Sequence, residues 1–168
     1  AQHVADSMGD SIAAIIDGGP CRIGVESTVI GLFESRAELL RPGAAGRSEI
    51  ERLIGRLSEP GSGDPNAPQA SPGRLARHYA PSRPLRLNST EVAGDEALLA
   101  FGAGAPTGAA LCHNLSISGD VTEAARNLFA MLRKLDRPEF KAIVVMPIPD
   151  IGLGVAINDR LRRAATND

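Results

Sequence analysis

Hydrophobic and polar positions in the first third of the chain predict three short strands. An apolar run closed by the turn "DGGP" predicts a buried strand over 12–17. A second apolar run, 25–32, is interrupted by the polar residues 26–28, and a third strand is predicted at 38–43, where "RPG" ends it. Each buried polar group without a partner costs about 1–3 kcal/mol, so we expect residues 26–28 to have specific partners.

A helix and a linker are predicted next. Apolar residues between positions 50 and 57 recur at helical spacing, and Ser48 and Glu51 have the spacing of a capping box. Residues 58–70 then contain no large apolar side chain and are rich in Pro, Gly and Ser. This composition is typical of a linker.

Strands alternate with helices in the second half of the chain. Strands are predicted at 84–88, 97–102, 108–114 and 141–147, and helices at 120–135 and 152–165. Asp120 and Glu123 have the spacing of N-cap and N3 residues. The order predicts a small α/β domain with parallel pairing. We therefore divide the chain into an N-terminal unit (1–57), a linker (58–83) and a C-terminal domain (84–168).

Composition narrows the class of protein. Hydrophobic residues make up 43% of the 168 residues but aromatic residues only 3%, so the core is expected to be aliphatic. Cys21 and Cys112 are too few for a disulfide framework or a zinc site, and we expect two reduced, buried thiols in a cytoplasmic protein. No apolar run is long enough to span a membrane, and the first residues do not resemble a signal peptide. The net charge of −2 provides no general attraction for nucleic acid.

Short motifs in the sequence exclude some functions and leave others open. No P-loop motif is present, and the three histidines lack metal-ligand spacing. The glycine clusters at 101–108 and 151–156 are interpreted as turns, because neither fits a dinucleotide-binding fingerprint. A basic segment, 71–84, contains His78 and Tyr79, and it would be costly to order unless it docks on something. Arg41 could bind a phosphate or pair with a local carboxylate, and the hydroxyls at 27 and 28 could bind a ligand or nearby backbone.

Five segments together resemble one family. They are "DGGPCRIGVESTVIGL", "LLRPGA", "SPGRLARHYAP", "NLSISGDVTEAARNLFAMLRKLD" and "GLGVAINDRLRRAA". In this order they resemble the C-terminal portion of the two-domain threonylcarbamoyl-AMP synthases, the long form of the YrdC-like tRNA-modification enzymes. The resemblance implies an α/β fold: the C-terminal piece of a YrdC-like twisted sheet, an ordered linker that crosses the active site, and a small Rossmann-like domain.

The resemblance also implies a reaction and a set of binding residues. The family condenses L-threonine, bicarbonate and ATP into threonylcarbamoyl-AMP and pyrophosphate, and other proteins transfer the threonylcarbamoyl group to an adenosine beside the tRNA anticodon. ATP is a substrate and is expected to carry Mg²⁺. Ser27 and Thr28 would contact L-threonine, and Arg41, His78 and Tyr79 would contact ATP. No side chain is expected to act as a nucleophile.

One departure from the family leaves a second class of function open. The N-terminal half of the family's catalytic domain has no counterpart in this chain, so we expect the 168 residues alone to lack synthase activity. A partner chain or a dimer would then cover residues 12–41. The alternative is a non-catalytic regulatory or RNA-binding α/β module that contacts tRNA through Arg160, Arg162 and Arg163.

Overall fold

The N-terminal unit contains a small three-stranded sheet. The computed structural model describes residues 1–59 and 79–166. After helix α1 (Gln2–Met8) and a 3₁₀ turn, strands β1 (Val29–Phe33) and β2 (Arg36–Arg41) form an antiparallel hairpin. Helix α2 (Arg47–Ile54) follows, and the two-residue strand β3 (Leu57–Ser58) then pairs with β2 in parallel. β2 is therefore the central strand of this sheet.

The prediction of a buried strand over 12–17 is wrong. These residues adopt neither helix nor strand, and Ile16 is 94% exposed. A strand requires a neighbouring strand for its backbone hydrogen bonds, and the described residues provide none at this position. The second predicted strand is confirmed only in part, because β1 begins at Val29. The polar residues 26–28 therefore precede the strand, and Ser27 is exposed rather than buried.

Helix α2 is present, but its predicted cap and apolar face are wrong. Gly46, not Ser48, is the N-cap residue, and it makes no side-chain capping bond. Glu51 instead accepts hydrogen bonds from the Arg47 side chain and from the backbone amide of Leu57. None of the helical residues is buried, and Leu53 is 82% exposed.

The second sheet confirms the predicted parallel α/β domain. Its strands are β4 (Leu85–Arg86), β5 (Ala97–Ala100), β6 (Leu111–Asn114) and β7 (Ile143–Val145), in the order β4-β7-β5-β6. All three pairs of neighbouring strands are parallel. Helix α3 (Val121–Leu135) connects β6 to β7, and α4 (Leu153–Ala165) follows β7.

Successive side chains along β5 and β7 point to opposite faces of the sheet, so the core of this domain has two parts, one on each face. Leu99 and Val145 face α3 and α4, whereas Leu98 and Val144 pack with loop residues on the opposite face. Asp120 caps α3 as predicted, because its carboxylate accepts hydrogen bonds from the backbone amides of residues 122 and 123. Both helices thus lie on one face of the sheet, and each also donates a hydrogen bond to the N-terminal unit.

Four smaller expectations remain, which concern the two cysteines, the first glycine cluster, membrane-spanning segments and dimerisation. Cys21 and Cys112 are free thiols, but both are exposed rather than buried. The glycine cluster at 101–108 connects two strands, as expected for a turn. Within the described ranges, none of the helices has the length and hydropathy required to cross a bilayer. Dimerisation over residues 12–41 stays a prediction.

Candidate functional site

Residues 24–28, the GVEST segment, run between the end of β2 and the helices of the C-terminal domain. Gly24 has φ +87°, and a Cβ atom there would lie 2.2 Å from the carbonyl oxygen of Ala125 in α3. A Cβ atom on Gly43 would lie 2.3 Å from the backbone nitrogen of Thr28. Only glycine allows both approaches, so the segment is held closely on two sides.

Arg41 and Ser27 meet on one side of this segment. Arg41 ends β2, is 8% exposed, and donates from Nε to the Ser27 carbonyl oxygen at 3.2 Å. Its Nη2 lies 3.4 Å from Ser27 Oγ. The guanidinium therefore provides positive charge directly beside an exposed hydroxyl. This is an arrangement that could bind an anionic or zwitterionic ligand.

Thr28 is oriented differently from Ser27. Its Oγ1 donates to the carbonyl oxygen of Ala45 at 2.8 Å, which ties the segment to the turn before α2. The hydroxyl is thus engaged with backbone, one of the alternatives that the sequence left open. An oxygen lone pair of Thr28 can still accept a hydrogen bond from a ligand.

An ion pair between Arg160 of α4 and Glu26 joins the C-terminal domain to the GVEST segment. Arg160 is 1% exposed, and its Nε donates to Glu26 Oε2 at 3.0 Å. Its Nη1 donates to the carbonyl oxygen of Pro42 at 2.8 Å. The prediction that Arg160 contacts tRNA is therefore wrong, because its guanidinium is buried. Arg162 is exposed and Arg163 pairs with Asp159, and for these two tRNA contact stays a prediction.

Tyr79, which lies at the end of the linker, completes a cluster of side chains. The other members are Glu26, Ser27, Arg41 and Arg160. The Tyr79 ring stacks on Phe129 of α3 with centroids 5.4 Å apart, and the Arg160 guanidinium carbon lies 5.8 Å from the Tyr79 centroid. Tyr79 has φ 64°, a left-handed conformation that is uncommon for a bulky residue. A cavity of about 520 Å³, lined in part by Glu26, Tyr79, Phe129 and Arg133, opens beside it.

The electrostatics of this cluster favour a charged Glu26. Burial raises the pKa of the Glu26 carboxyl, but hydrogen bonds from Tyr79, the segment's own backbone and Arg160 outweigh burial and bring the pKa below its ordinary 4.5. Burial and the hydrogen bond to Glu26 raise the pKa of the Tyr79 hydroxyl above 10.0. At neutral pH the site therefore contains a carboxylate, a neutral phenol and two guanidinium groups.

Of the five residues that the family resemblance selected, Ser27, Arg41 and Tyr79 belong to this cluster. The Thr28 hydroxyl instead donates to the Ala45 carbonyl oxygen, and His78 lies outside the described residues. Glu26 and Arg160 are additional members. Helical spacing could have indicated Arg160, because it lies three or four residues from the inward-facing positions 156, 157 and 164.

The donor set of the cluster suits organic anions better than a bound metal. Within residues 1–59 and 79–166, no group of three or more His, Cys, Asp or Glu side chains has the geometry to hold a metal ion. Guanidinium and hydroxyl groups instead recognise carboxylates and phosphates.

One protein-family model matches most of the chain. The family model described as "Threonylcarbamoyl-AMP synthase, C-terminal domain" matches residues 46–166, which is more than half of the sequence. The chain belongs to this family. The match begins at the N-cap residue of α2, so it extends well upstream of β4, where we expected the C-terminal domain to begin.

Curated relatives extend the similarity to nearly the whole chain. The chain is 37% identical to the threonylcarbamoyl-AMP synthase of Pyrococcus abyssi, in an alignment that covers 98% of this chain and 53% of the relative. It is 33% identical to the Bacillus subtilis protein of the same name, with 98% of this chain and 52% of the relative covered. The chain thus spans about half the length of the curated relatives that it matches.

Solved structures support the same fold. The crystal structure of Pyrococcus abyssi Sua5 complexed with L-threonine matches with a TM-score of 0.85 and 35% identity, covering 98% of this chain and 53% of that chain. A Sua5 variant from the same organism, in which an adjacent His and Tyr are replaced by Ala, matches with a TM-score of 0.76 and 30% identity, over 98% of this chain and 52% of that chain. The α/β fold of the chain is therefore that of the Sua5 structures.

Proposed function

We propose that this chain is part of an L-threonylcarbamoyladenylate synthase of the tRNA N6-threonylcarbamoyladenosine pathway. The enzyme would condense L-threonine, bicarbonate and ATP into threonylcarbamoyl-AMP and pyrophosphate. The main support is the family match over residues 46–166, together with relatives of that name aligned over 98% of the chain. The product would pass to a tRNA threonylcarbamoyl transferase, which implies a cytoplasmic enzyme.

The proposal assigns each segment of the chain to one part of the enzyme. Residues 1–57 would belong to a YrdC-like catalytic domain, residues 58–83 to the linker, and residues 84–168 to a Rossmann-like C-terminal domain. The separation of the two sheets supports this division, since β1–β3 and β4–β7 share no strand pairing. As relatives are about twice as long, the catalytic domain would need further residues outside this chain, and the 168 residues alone would be inactive.

The site residues would act by binding. Ser27 and Thr28 would contact L-threonine, which fits the exposed hydroxyl of Ser27 and the remaining acceptor capacity of Thr28. Arg41 would stabilise negative charge on ATP, and its guanidinium already lies beside Ser27. Tyr79 and His78 would close the site from the linker. Tyr79 lines the neighbouring cavity together with Glu26, whereas Ser27, Thr28 and Arg41 do not line it, so a nucleotide that contacts both Tyr79 and Arg41 would extend beyond this cavity.

The chemistry requires positioning and charge stabilisation rather than a protein nucleophile. The threonine amine reacts with bicarbonate to form a carbamate with loss of one water molecule, and a carbamate oxygen then attacks the α-phosphorus of ATP and displaces pyrophosphate. A correctly placed cation and correctly oriented substrates supply most of the rate in such reactions. Mg²⁺ would enter with the ATP phosphates.

Substitution of Arg41 in the full-length protein tests this function. Loss of one electrostatic contact of this kind typically lowers kcat by about 10²–10³-fold, and we expect such a loss for Arg41→Met in pyrophosphate release that depends on threonine and bicarbonate. The matched control is Arg137→Met, since the Arg137 side chain is exposed and makes surface contacts, a hydrogen bond to the Lys134 carbonyl oxygen and an ion pair with Glu139. Unchanged turnover of Arg41→Met would remove Arg41 from the site.

Ligand-dependent melting distinguishes the enzyme from an RNA-binding module. A rise in Tm of the full-length protein with ATP plus threonine supports the synthase, because a ligand stabilises only the state that binds it. A rise in Tm with tRNA alone, which weakens as salt increases, supports the binding module instead.

A further inference from the structure

We propose that Arg160 is a positioning residue through which the C-terminal domain holds the GVEST segment in its substrate-binding conformation. This inference rests on the proposed function, because it assumes that Ser27 contacts substrate. It assigns a role to the C-terminal domain, which otherwise supplies none of the predicted substrate contacts. Arg160 would not touch the substrate and would act through Glu26 and Pro42.

The contacts of Arg160 connect both parts of the site. Nε binds the Glu26 carboxylate, one residue before Ser27, and Nη1 binds the Pro42 carbonyl oxygen, one residue after Arg41. A single guanidinium on α4 therefore contacts the immediate neighbours of Ser27 and Arg41, two of the residues that the proposed function assigns to substrate.

The surroundings of Arg160 make these contacts difficult to replace. At 1% exposure a guanidinium is costly to bury unless it is fully paired. Asp159 accepts a further bond from Nη1 at 3.0 Å and is itself bound by Arg163. Nη2 has no hydrogen-bond acceptor among the described residues, but the Tyr79 ring lies close enough for a cation–π contact. A lysine ammonium cannot reproduce this planar set of contacts.

The consequence for catalysis is a defect in substrate binding rather than only in stability. Without Arg160 the Glu26 carboxylate loses its cationic partner, and the segment that contains Ser27 is free to shift. Displacement of a positioning group by about 1 Å costs on the order of 10²-fold in rate. A purely structural role would reduce the amount of folded enzyme and leave the KM of that enzyme unchanged.

Kinetics of four variants of the full-length protein test the inference. We expect Arg160→Met to raise KM for threonine by about 10-fold or more, the loss associated with one charge-assisted hydrogen bond. Arg160→Lys should recover only part of this loss, and the surface control Arg137→Met should match the wild type. Glu26→Gln retains the shape of the side chain and provides a second route if Arg160→Met folds poorly.

A double variant of Arg160 and Glu26 tests the inference more specifically than the single variants do. If Arg160 acts through Glu26, the Arg160→Met and Glu26→Gln effects on kcat/KM will be less than multiplicative in the double variant. Multiplicative effects, or a KM for threonine that equals the wild-type value in all variants, would overturn the inference.

Hydrogen exchange separates this inference from the proposed function. Amide exchange in a peptide covering residues 24–28 should accelerate in Arg160→Met and Glu26→Gln but not in Arg137→Met. Unchanged exchange would overturn the positioning role whatever the activity. A wild-type protein without synthase activity would overturn the proposed function, and the exchange result would still decide whether Arg160 holds the segment.

Discussion

Replacement of Gly43 by alanine is the most direct test of how the site is assembled. Gly43 is buried in the turn after β2, and its backbone φ lies outside the left-handed region. An added Cβ atom would lie 2.3 Å from the Thr28 backbone nitrogen, 2.5 Å from the Glu26 carbonyl oxygen and 2.5 Å from the Ser27 carbonyl carbon. All three atoms belong to backbone, so no side chain can rotate away to relieve the contact.

The expected loss of stability in Gly43→Ala follows from these distances. Ordinary van der Waals contact begins at 3.4 Å, so the GVEST segment would have to move by about 1 Å. Overpacking of this kind typically costs about 1–3 kcal/mol, and the backbone contacts favour the upper part of that range. With a urea m-value of about 2 kcal/mol/M, a loss of about 2 kcal/mol lowers the unfolding midpoint by about 1 M.

Urea unfolding of the chain, followed by circular dichroism, measures this shift. Gly18→Ala is the matched control, because a Cβ atom there meets nothing within 4 Å and the φ is not positive. We expect the control to stay within about 0.5 kcal/mol of the wild type. If Gly43→Ala unfolds at the same urea concentration as Gly18→Ala, the close approach of the turn to the GVEST segment does not exist in solution.

Two further predictions concern the core of the C-terminal domain and the charge of Glu26. Leu128→Ala, at a fully buried position in α3, should destabilise the chain by about 2–5 kcal/mol in the same urea assay, whereas the exposed Leu53→Ala should change little. The lowered pKa of Glu26 stabilises the fold above the ordinary value of 4.5, and this contribution disappears as the pH falls through the lowered pKa. The difference in stability between wild type and Glu26→Gln should therefore shrink below pH 4.5, and a difference that is constant down to pH 3 would contradict the assigned pairing.

Local sequence patterns predicted the C-terminal domain well. The apolar stripes of α3 and α4, the Asp120 cap and the order of strands and helices were sufficient to predict parallel pairing, and the structure confirms it. These features are determined locally, because a helix with one apolar face and a strong cap packs on a sheet in few ways. The resemblance of short motifs then selected most of the residues that meet in the candidate site.

Residues 12–17 and helix α2 show where local patterns were insufficient. Both have apolar sequences that predict burial, yet Ile16 and Leu53 are largely exposed. Burial requires a surface on which to pack, and a sequence window contains no information about whether such a surface is present. Periodicity can therefore identify an apolar face without establishing what covers it.

The sequence by itself determined the α/β class, the main helices and the motifs of the candidate site. Only the tertiary structure revealed that Arg160 is a buried partner of Glu26 rather than a surface arginine, because these residues are 134 positions apart in the chain. The same holds for the stacking of Tyr79 on Phe129. A charge that is buried by residues distant in sequence can be recognised only once the chain has brought them into contact.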